Sequence, residues 1–180
     1  GKGRRHTGHE GRSMTTRNLG HACIALALAA SLGAAPAAAQ EAGCRSVLAG
    51  TYLTTILTGK GGYASRSIVT IHGDGTLSAV DSRQYHGVMG SAFSAQQGSY
   101  RCTGAAAASA RTLNFGFPKR ASIARSDWTI SKDAATGALS GTITLTVYPG
   151  VKGVDPFATK GGKRIDTFRF TAAPVGPPAK

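Results

Sequence analysis

The chain has few of the residues and motifs that most catalytic, metal-binding and nucleotide-binding proteins display. Its 180 residues include 8 acidic residues against 21 Lys and Arg, with 5 His, 3 Cys and 1 Trp. It has no Gly-X-Ser-X-Gly elbow, His-Glu-X-X-His pair or Walker loop, so the sequence does not support the enzyme classes built on them. After residue 39 the only histidines are His72 and His86, without the ligand spacing of a metal site. We therefore predict no metal and no cofactor.

A long apolar run is also missing. The stretch Ala22–Leu32 is shorter than the roughly 20 apolar residues of a transmembrane helix, and it leads into the small residues Ala37–Ala39. Preceded by Arg17, this pattern is typical of a secretory signal peptide over residues 14–39, cleaved after Ala39. We interpret the polar residues 1–13 as a non-native or misannotated leader outside the fold. The protein is predicted to be periplasmic or secreted, with no transmembrane segment in the mature chain.

The predicted mature chain, residues 40–180, has the length of one domain. It keeps 16 of the Lys and Arg and 7 of the acidic residues, a net charge of +9. Its two cysteines, Cys44 and Cys102, are expected to form a disulfide in an oxidising compartment. Export makes nucleic acid an unlikely partner, whereas an anionic envelope surface fits the charge. The cations placed to bind phosphates or lipid headgroups are Lys152, Lys160, Lys163 and Arg164.

Turn signals recur every ten to fifteen residues and favour short strands over helices. Asp74-Gly75 is typical of a tight hairpin, and Ile143, Leu145 and Val147 alternate with threonines in the period of a strand. Sequential strands remove their edges by closing into a barrel. We therefore predict an all-β, eight-stranded antiparallel up-and-down barrel over residues 40–171, a flexible tail over 172–180, and a helix in the signal peptide; the alternative is a two-sheet β-sandwich. The predicted strands are residues 50–58, 63–72, 76–85, 95–103, 109–117, 122–131, 138–148 and 163–171.

The opening of the first strand, Gly50-Thr51-Tyr52, followed by an eight-strand meander with a disulfide, resembles the lipocalin-like (calycin) barrels across roughly residues 50–171. Lipocalins open this strand with Gly-X-Trp, and an Arg near the end of the last strand packs over that ring. The resemblance implies that Tyr52 replaces the Trp and that Arg169 is the matching Arg. It also implies a barrel about as wide as one small ligand.

Three functions remain open at this stage. The leading hypothesis is non-enzymatic binding of a small, partly apolar ligand inside the barrel, and its lining candidates are Tyr52, Arg101, Ile143, Leu145, Val147, Phe168 and Arg169. The second is an isomerase or cyclase that uses an inward carboxylate in an apolar pocket, and its weak catalytic candidates are Asp81, Asp127 and Arg125. The third is an interaction protein whose basic loop docks onto anionic envelope surfaces. Charged residues within the strands are expected to form cross-strand ion pairs on the outer face; the alternative is that some of them face the interior as pairs and form a polar cavity floor.

Overall fold

The computed structural model describes residues 34–84, 92–117 and 121–176. No helix in these ranges is long and apolar enough to cross a membrane. The elements in chain order are α1 (Ala34–Leu48), β1 (Gly50–Leu57), β2 (Tyr63–Ile71), β3 (Thr76–Asp81), β4 (Ala92–Phe93), β5 (Gln96–Gly104), β6 (Ala107–Phe117), β7 (Ser122–Lys132), β8 (Leu139–Pro149) and β9 (Lys163–Pro174).

Eight of the strands close into an antiparallel barrel, as predicted. Going round the barrel, the order is β1, β2, β3, β5, β6, β7, β8 and β9, and β9 pairs again with β1. The two-residue strand β4 pairs with Gly116 and Phe117 at the end of β6, and β5 pairs with the preceding part of β6. β4 therefore continues the line of β5 after a short break. Closure leaves none of these eight strands as an open edge, and the sandwich alternative is wrong.

Two strand ends differ from the prediction. β3 stops at Asp81, because the chain turns there and the Gln84 amide donates to the Asp81 carbonyl; Tyr85 lies outside the described residues. β9 runs to Pro174, since Ala172 and Pro174 pair with β1. The first part of the segment predicted as a tail is thus a strand.

Helix α1 closes one end of the barrel, which we call the helix end. Its side chains Cys44 and Leu48 are 1% and 0% exposed, and the Tyr52 hydroxyl donates to the Leu48 carbonyl at 2.8 Å. The predicted disulfide is confirmed and joins Cys44 of α1 to Cys102 of β5. The continuation of the helix through residues 40–48 was not predicted, because Cys44 and Leu48 are its only buried apolar side chains and their burial depends on the barrel.

Close-packed apolar side chains fill the half of the barrel next to α1. Trp128 and Phe170 meet edge to face with ring centroids 5.6 Å apart, an arrangement that stabilises beyond its buried area. Their neighbours in the core, all at most 6% exposed, include Leu48, Tyr52, Val69, Ile71, Leu77, Tyr100, Ile130, Leu139 and Ile143.

The turns at the helix end carry acidic residues held in their charged form. Hydrogen bonds from the Thr76 hydroxyl and amide lower the pKa of Asp74. Bonds from the Thr136 hydroxyl and amide lower the pKa of Asp133 in the same way. Together with Glu41 on α1, these two carboxylates place three of the chain's 8 acidic residues at the helix end.

Candidate functional site at the mouth of the barrel

The end of the barrel opposite α1, which we call the mouth, is formed by the turn between β1 and β2, the turn after β3 and the long loop between β8 and β9. Leu145 and Val147 face the interior towards the mouth and are half-buried, whereas the half-buried Phe168 packs against the core beside its cross-strand partner Ile143. Tyr52 and Ile143, by contrast, are buried in the core near the helix end. The predicted ligand-lining residues are therefore divided between two levels of the barrel.

The two arginines proposed as lining residues lie on the outside. Arg101 is exposed and its Nε donates to the Ser109 hydroxyl at 3.3 Å. Arg169 is exposed and pairs with Leu57, at the mouth end of β1. The expectation that Arg169 packs over Tyr52 is wrong, because Tyr52 lies at the other end of that strand. Lys132 occupies the position instead, with Nζ 5.6 Å from the ring centroid and 3.1 Å from the hydroxyl.

A row of polar side chains crosses the inner wall towards the mouth. Thr54, Ser67 and Asp81 are cross-strand neighbours on β1, β2 and β3. Oδ2 of Asp81 accepts hydrogen bonds from the hydroxyls of Ser67 at 2.6 Å and Ser65 at 2.8 Å. Oδ1 accepts from the Arg83 amide at 2.8 Å. Asp81 is thus an inward carboxylate, fixed by two serines and a turn.

A second polar chain continues the inner wall on β5, β6 and β7. The Trp128 indole N–H donates to the Thr112 hydroxyl at 3.0 Å, and that hydroxyl donates to Gln96 Oε1 at 2.7 Å. Asn114 and Ser126 are buried beside this chain. The interior therefore changes from apolar at the helix end to polar at the mouth.

The second carboxylate proposed for catalysis lies on the outer wall. Asp127 is adjacent to the inward Trp128 and points the other way. Its Oδ1 lies 2.6 Å from Arg111 Nε and its Oδ2 lies 2.9 Å from Arg125 Nε. The Arg125 contact is an ion pair that lacks the alignment of a hydrogen bond. Cross-strand ion pairing on the outer face is confirmed for Arg111 of β6 and Asp127 of β7, whereas Arg125 and Asp127 lie on the same strand.

Arg125 fastens the loop between β8 and β9, residues 150–162, against the outside of the barrel. Its Nη1 donates to the carbonyls of Pro156 at 2.7 Å and Ala158 at 3.1 Å. The guanidinium also lies 5.3 Å from the centre of the Tyr148 ring, and the Tyr148 hydroxyl donates to the same Ala158 carbonyl. A planar, multidonor cation suits this position.

Replacing Arg125 is expected to free this loop. In Arg125→Gln, the loss of hydrogen bonds from a charged group should speed tryptic cleavage at Lys152 and Lys160 by about tenfold or more. Limited proteolysis followed by mass spectrometry measures the rate. Arg111→Gln is the control, since Arg111 binds the same Asp127 and, among the described residues, its side chain hydrogen-bonds to Asp127 and not to the loop. Equal rates in the two variants would show that Arg125 does not hold the loop.

The loop and its neighbours bring cations and exposed apolar side chains together at the mouth. β1 adjoins β9, and the Gly59 amide of the β1–β2 turn contacts Asp166 at the start of β9. Lys60 and Arg169 therefore join the basic cluster predicted from the loop. We define the rim patch as the exposed cations Lys60, Lys152, Lys160, Lys163, Arg164 and Arg169 with the apolar residues Tyr63, Val151, Phe157 and Ile165.

The rim patch has an excess of positive charge that the helix end lacks. Its six cations face two acidic residues, Asp155 and Asp166. Among the described residues at the helix end, the three acidic residues Glu41, Asp74 and Asp133 are balanced by the three cations Arg45, Arg101 and Lys132. The exposed fractions of Tyr63, Val151 and Phe157 are 57%, 62% and 58%. One end of the barrel is therefore both positive and apolar.

Two concave surfaces lie outside the barrel, beside α1. The larger is an open groove lined by Ala38, Glu41, Ala42, Arg45, Ser46, Ala49 and Gly73. The smaller lies between the start of the helix and the end of β5, near Cys102. Both depend on residues close to the predicted cleavage point and neither reaches the interior.

Comparison with known proteins gives no family for this chain. It matches no protein-family model, and no curated protein or solved structure is significantly similar to it.

Proposed function

We propose that the protein is an exported, non-enzymatic barrel that docks onto anionic lipid surfaces through the rim patch. The observation that carries the proposal is the meeting of cations and exposed apolar side chains at one end of the barrel. Exposed apolar side chains among charged residues are typical of an interaction site. Of the three functions considered from the sequence, this is the one that the arrangement of the side chains supports best.

A membrane surface fits the chemistry of the rim patch. Lys and Arg near an anionic leaflet contribute about 1 kcal/mol each, and aromatic and aliphatic side chains insert into the headgroup region. Because stable peripheral binding needs two such signals, the combination of Phe157 and Tyr63 with the surrounding cations is what such binding requires. Electrostatic attraction at the surface weakens with salt, whereas the apolar contribution persists.

The hypothesis of a small apolar ligand has less support from the packing. Tyr52 and Ile143, two of its proposed walls, are 1% and 5% exposed within the filled helix half. The half-buried Leu145 and Val147 share the mouth with polar side chains, so the apolar part of such a ligand would leave those polar groups without hydrogen-bond partners.

Binding to vesicles tests the proposal. The mature chain, residues 40–180, should sediment with phosphatidylcholine vesicles that contain phosphatidylglycerol, and not with phosphatidylcholine alone. The double change Lys152→Gln and Lys163→Gln should weaken binding about tenfold or more, from the contribution of each cation. Phe157→Ser should also weaken it without changing the charge.

A matched pair of charge changes serves as the control. Arg66→Gln with Arg101→Gln removes the same charge from exposed positions on the barrel wall, outside the rim patch, and should alter binding about threefold or less through the net charge alone. Equal losses in the two double variants, or no binding to anionic vesicles, would contradict the proposal. Binding to heparin or RNA but not to vesicles would assign the patch to a soluble polyanion instead.

A further inference from the structure

The mouth contains buried oxygen atoms that lack hydrogen-bond partners, one on the inner wall and one in the turn after β3. Within the described ranges, Thr54 Oγ1 and Gln84 Oε1 have none, although these residues are only 1% and 8% exposed. Such groups are rare in folded proteins, and each one calls for an explanation. The interior at this level therefore has unused hydrogen-bonding capacity.

The carboxylate of Asp81 belongs to the same part of the wall. Among the described residues it has no cation partner, and its hydrogen bonds come from two hydroxyls and one amide. An ionised carboxylate has about four acceptor sites, so Asp81 has capacity for a further donor. It is half-buried, and is thus more accessible from the mouth than Thr54.

The side chains around Asp81 limit the kind of molecule that fits. They include the hydroxyls of Ser65, Ser67 and Thr54, and on the neighbouring strand β5 the amide of Gln96, which lies opposite Ala79. A hydroxyl group of a ligand can both donate and accept hydrogen bonds. A ligand with several hydroxyl groups therefore suits a wall that carries carboxylate, hydroxyl and amide groups. The cations of the rim patch around the entrance repel a positively charged molecule, which excludes an amine as the natural match for Asp81.

We propose that the mouth binds a small neutral molecule rich in hydroxyl groups, a polyol or monosaccharide, with one of its hydroxyls donating to Asp81. Ser67 is a cross-strand neighbour of both Asp81 and Thr54. When the ligand hydroxyl takes its place on Oδ2, Ser67 turns its own proton towards Thr54 Oγ1, which has no partner in the ligand-free protein. Leu145 and Val147 provide the apolar side of the site. This site is independent of the proposed docking of the rim patch.

The indole N–H of Trp128 provides a direct measure of binding. Trp128 is the only tryptophan of the chain, and its N–H is linked through Thr112 to Gln96. Glucose, mannitol and glycerol are the probes, with hexylamine as the cationic comparison. Polyols stabilise proteins in general by exclusion from their surface, so the test is a saturable change in the NMR shift of this proton. We expect saturation with glucose or mannitol and none with hexylamine.

Two carboxylate variants separate the site from the rest of the barrel. Asp81→Asn should weaken the binding of the saturating probe about tenfold or more, since it replaces a charged acceptor by a neutral one. Asp127→Asn makes the same change on the outer wall and should leave the affinity within about twofold, as an independent site does. Equal effects of the two variants on probe binding would overturn the proposal. Saturable binding of hexylamine would also overturn it, and so would the absence of saturable binding for every probe in the panel.

Thr54→Val gives a readout that a purely structural role would not produce. Replacing an unpartnered buried hydroxyl by a methyl group of similar shape should raise the urea midpoint of the ligand-free protein. The same change should weaken probe binding, because Ser67 loses its alternative acceptor. A lower urea midpoint would show that the hydroxyl is already satisfied, for instance by an internal water, and would overturn the proposal. None of these readouts involves vesicles, so this inference and the docking function fail separately.

Discussion

Gly98→Ala and Gly141→Ala are each expected to destabilise the protein by about 3 kcal/mol or more, the upper range for a steric overlap in a packed interior. A Cβ at position 98 would lie 1.9 Å from the Arg111 carbonyl oxygen, and one at position 141 would lie 1.8 Å from the Thr129 carbonyl oxygen. Both contacts are with the backbone of a neighbouring strand, which cannot move without breaking the barrel ladder. Urea unfolding followed by Trp128 fluorescence measures the loss.

A third glycine provides the control for these two. Gly43 lies within α1, and a Cβ there meets nothing within 4 Å. Gly43→Ala should stabilise the protein by about 0.5–1 kcal/mol, because alanine loses less conformational entropy in a helix. If Gly98→Ala or Gly141→Ala changed the stability as little as Gly43→Ala, the close approach of β5 to β6 or of β8 to β7 would be wrong.

The second large effect is expected from loosening α1. Leu48→Ala should cost about 2–5 kcal/mol, since it empties a fully buried position at the helix end. Removing the disulfide by Cys44→Ser with Cys102→Ser should cost about 2–4 kcal/mol. The control is Val47→Ala, one residue away on the same helix but 43% exposed, with an expected change below about 1 kcal/mol. Similar losses for Leu48→Ala and Val47→Ala in urea unfolding would show that α1 does not seal the barrel.

The sequence was most informative where one face of a strand is buried. The alternation of Ile143, Leu145 and Val147 with threonines identified β8, and the Asp74-Gly75 turn fixed the hairpin between β2 and β3. Both signals are local, since a period of two and a positive φ at Gly75 depend only on neighbouring residues. The regular recurrence of such signals was enough to predict a closed antiparallel barrel.

The parts that the sequence did not predict depend on contacts between distant residues. The extent of α1 follows from the burial of Cys44 and Leu48 against a barrel that forms elsewhere in the chain. The position over the Tyr52 ring belongs to Lys132, which is 80 residues away and has no local pattern that marks it. Tertiary context decides such positions.

The sequence predicted only part of the candidate site, because the rest of the site depends on the pairing of distant strands. Lys152 and Lys163 were grouped because they are close in sequence, whereas Lys60 joins them through the pairing of β1 with β9. Barrel closure itself implies that pairing, so the first hairpin could have been added to the basic cluster from the fold prediction. The inward direction of Asp81 also follows from its even spacing from the buried Leu77, once the register is known.

The central claim is that the mouth, and not the helix end, faces the membrane. Residues 40–180 contain only the two cysteines of the disulfide, so a cysteine added to this part of the chain can carry a single environment-sensitive fluorophore. Thr159→Cys places it in the rim loop, and Ala134→Cys places it in the exposed turn at the helix end. With phosphatidylglycerol vesicles, the emission of the label at position 159 should shift to the blue while that at 134 stays unchanged. A shift at 134 alone, at both positions or at neither would contradict the account.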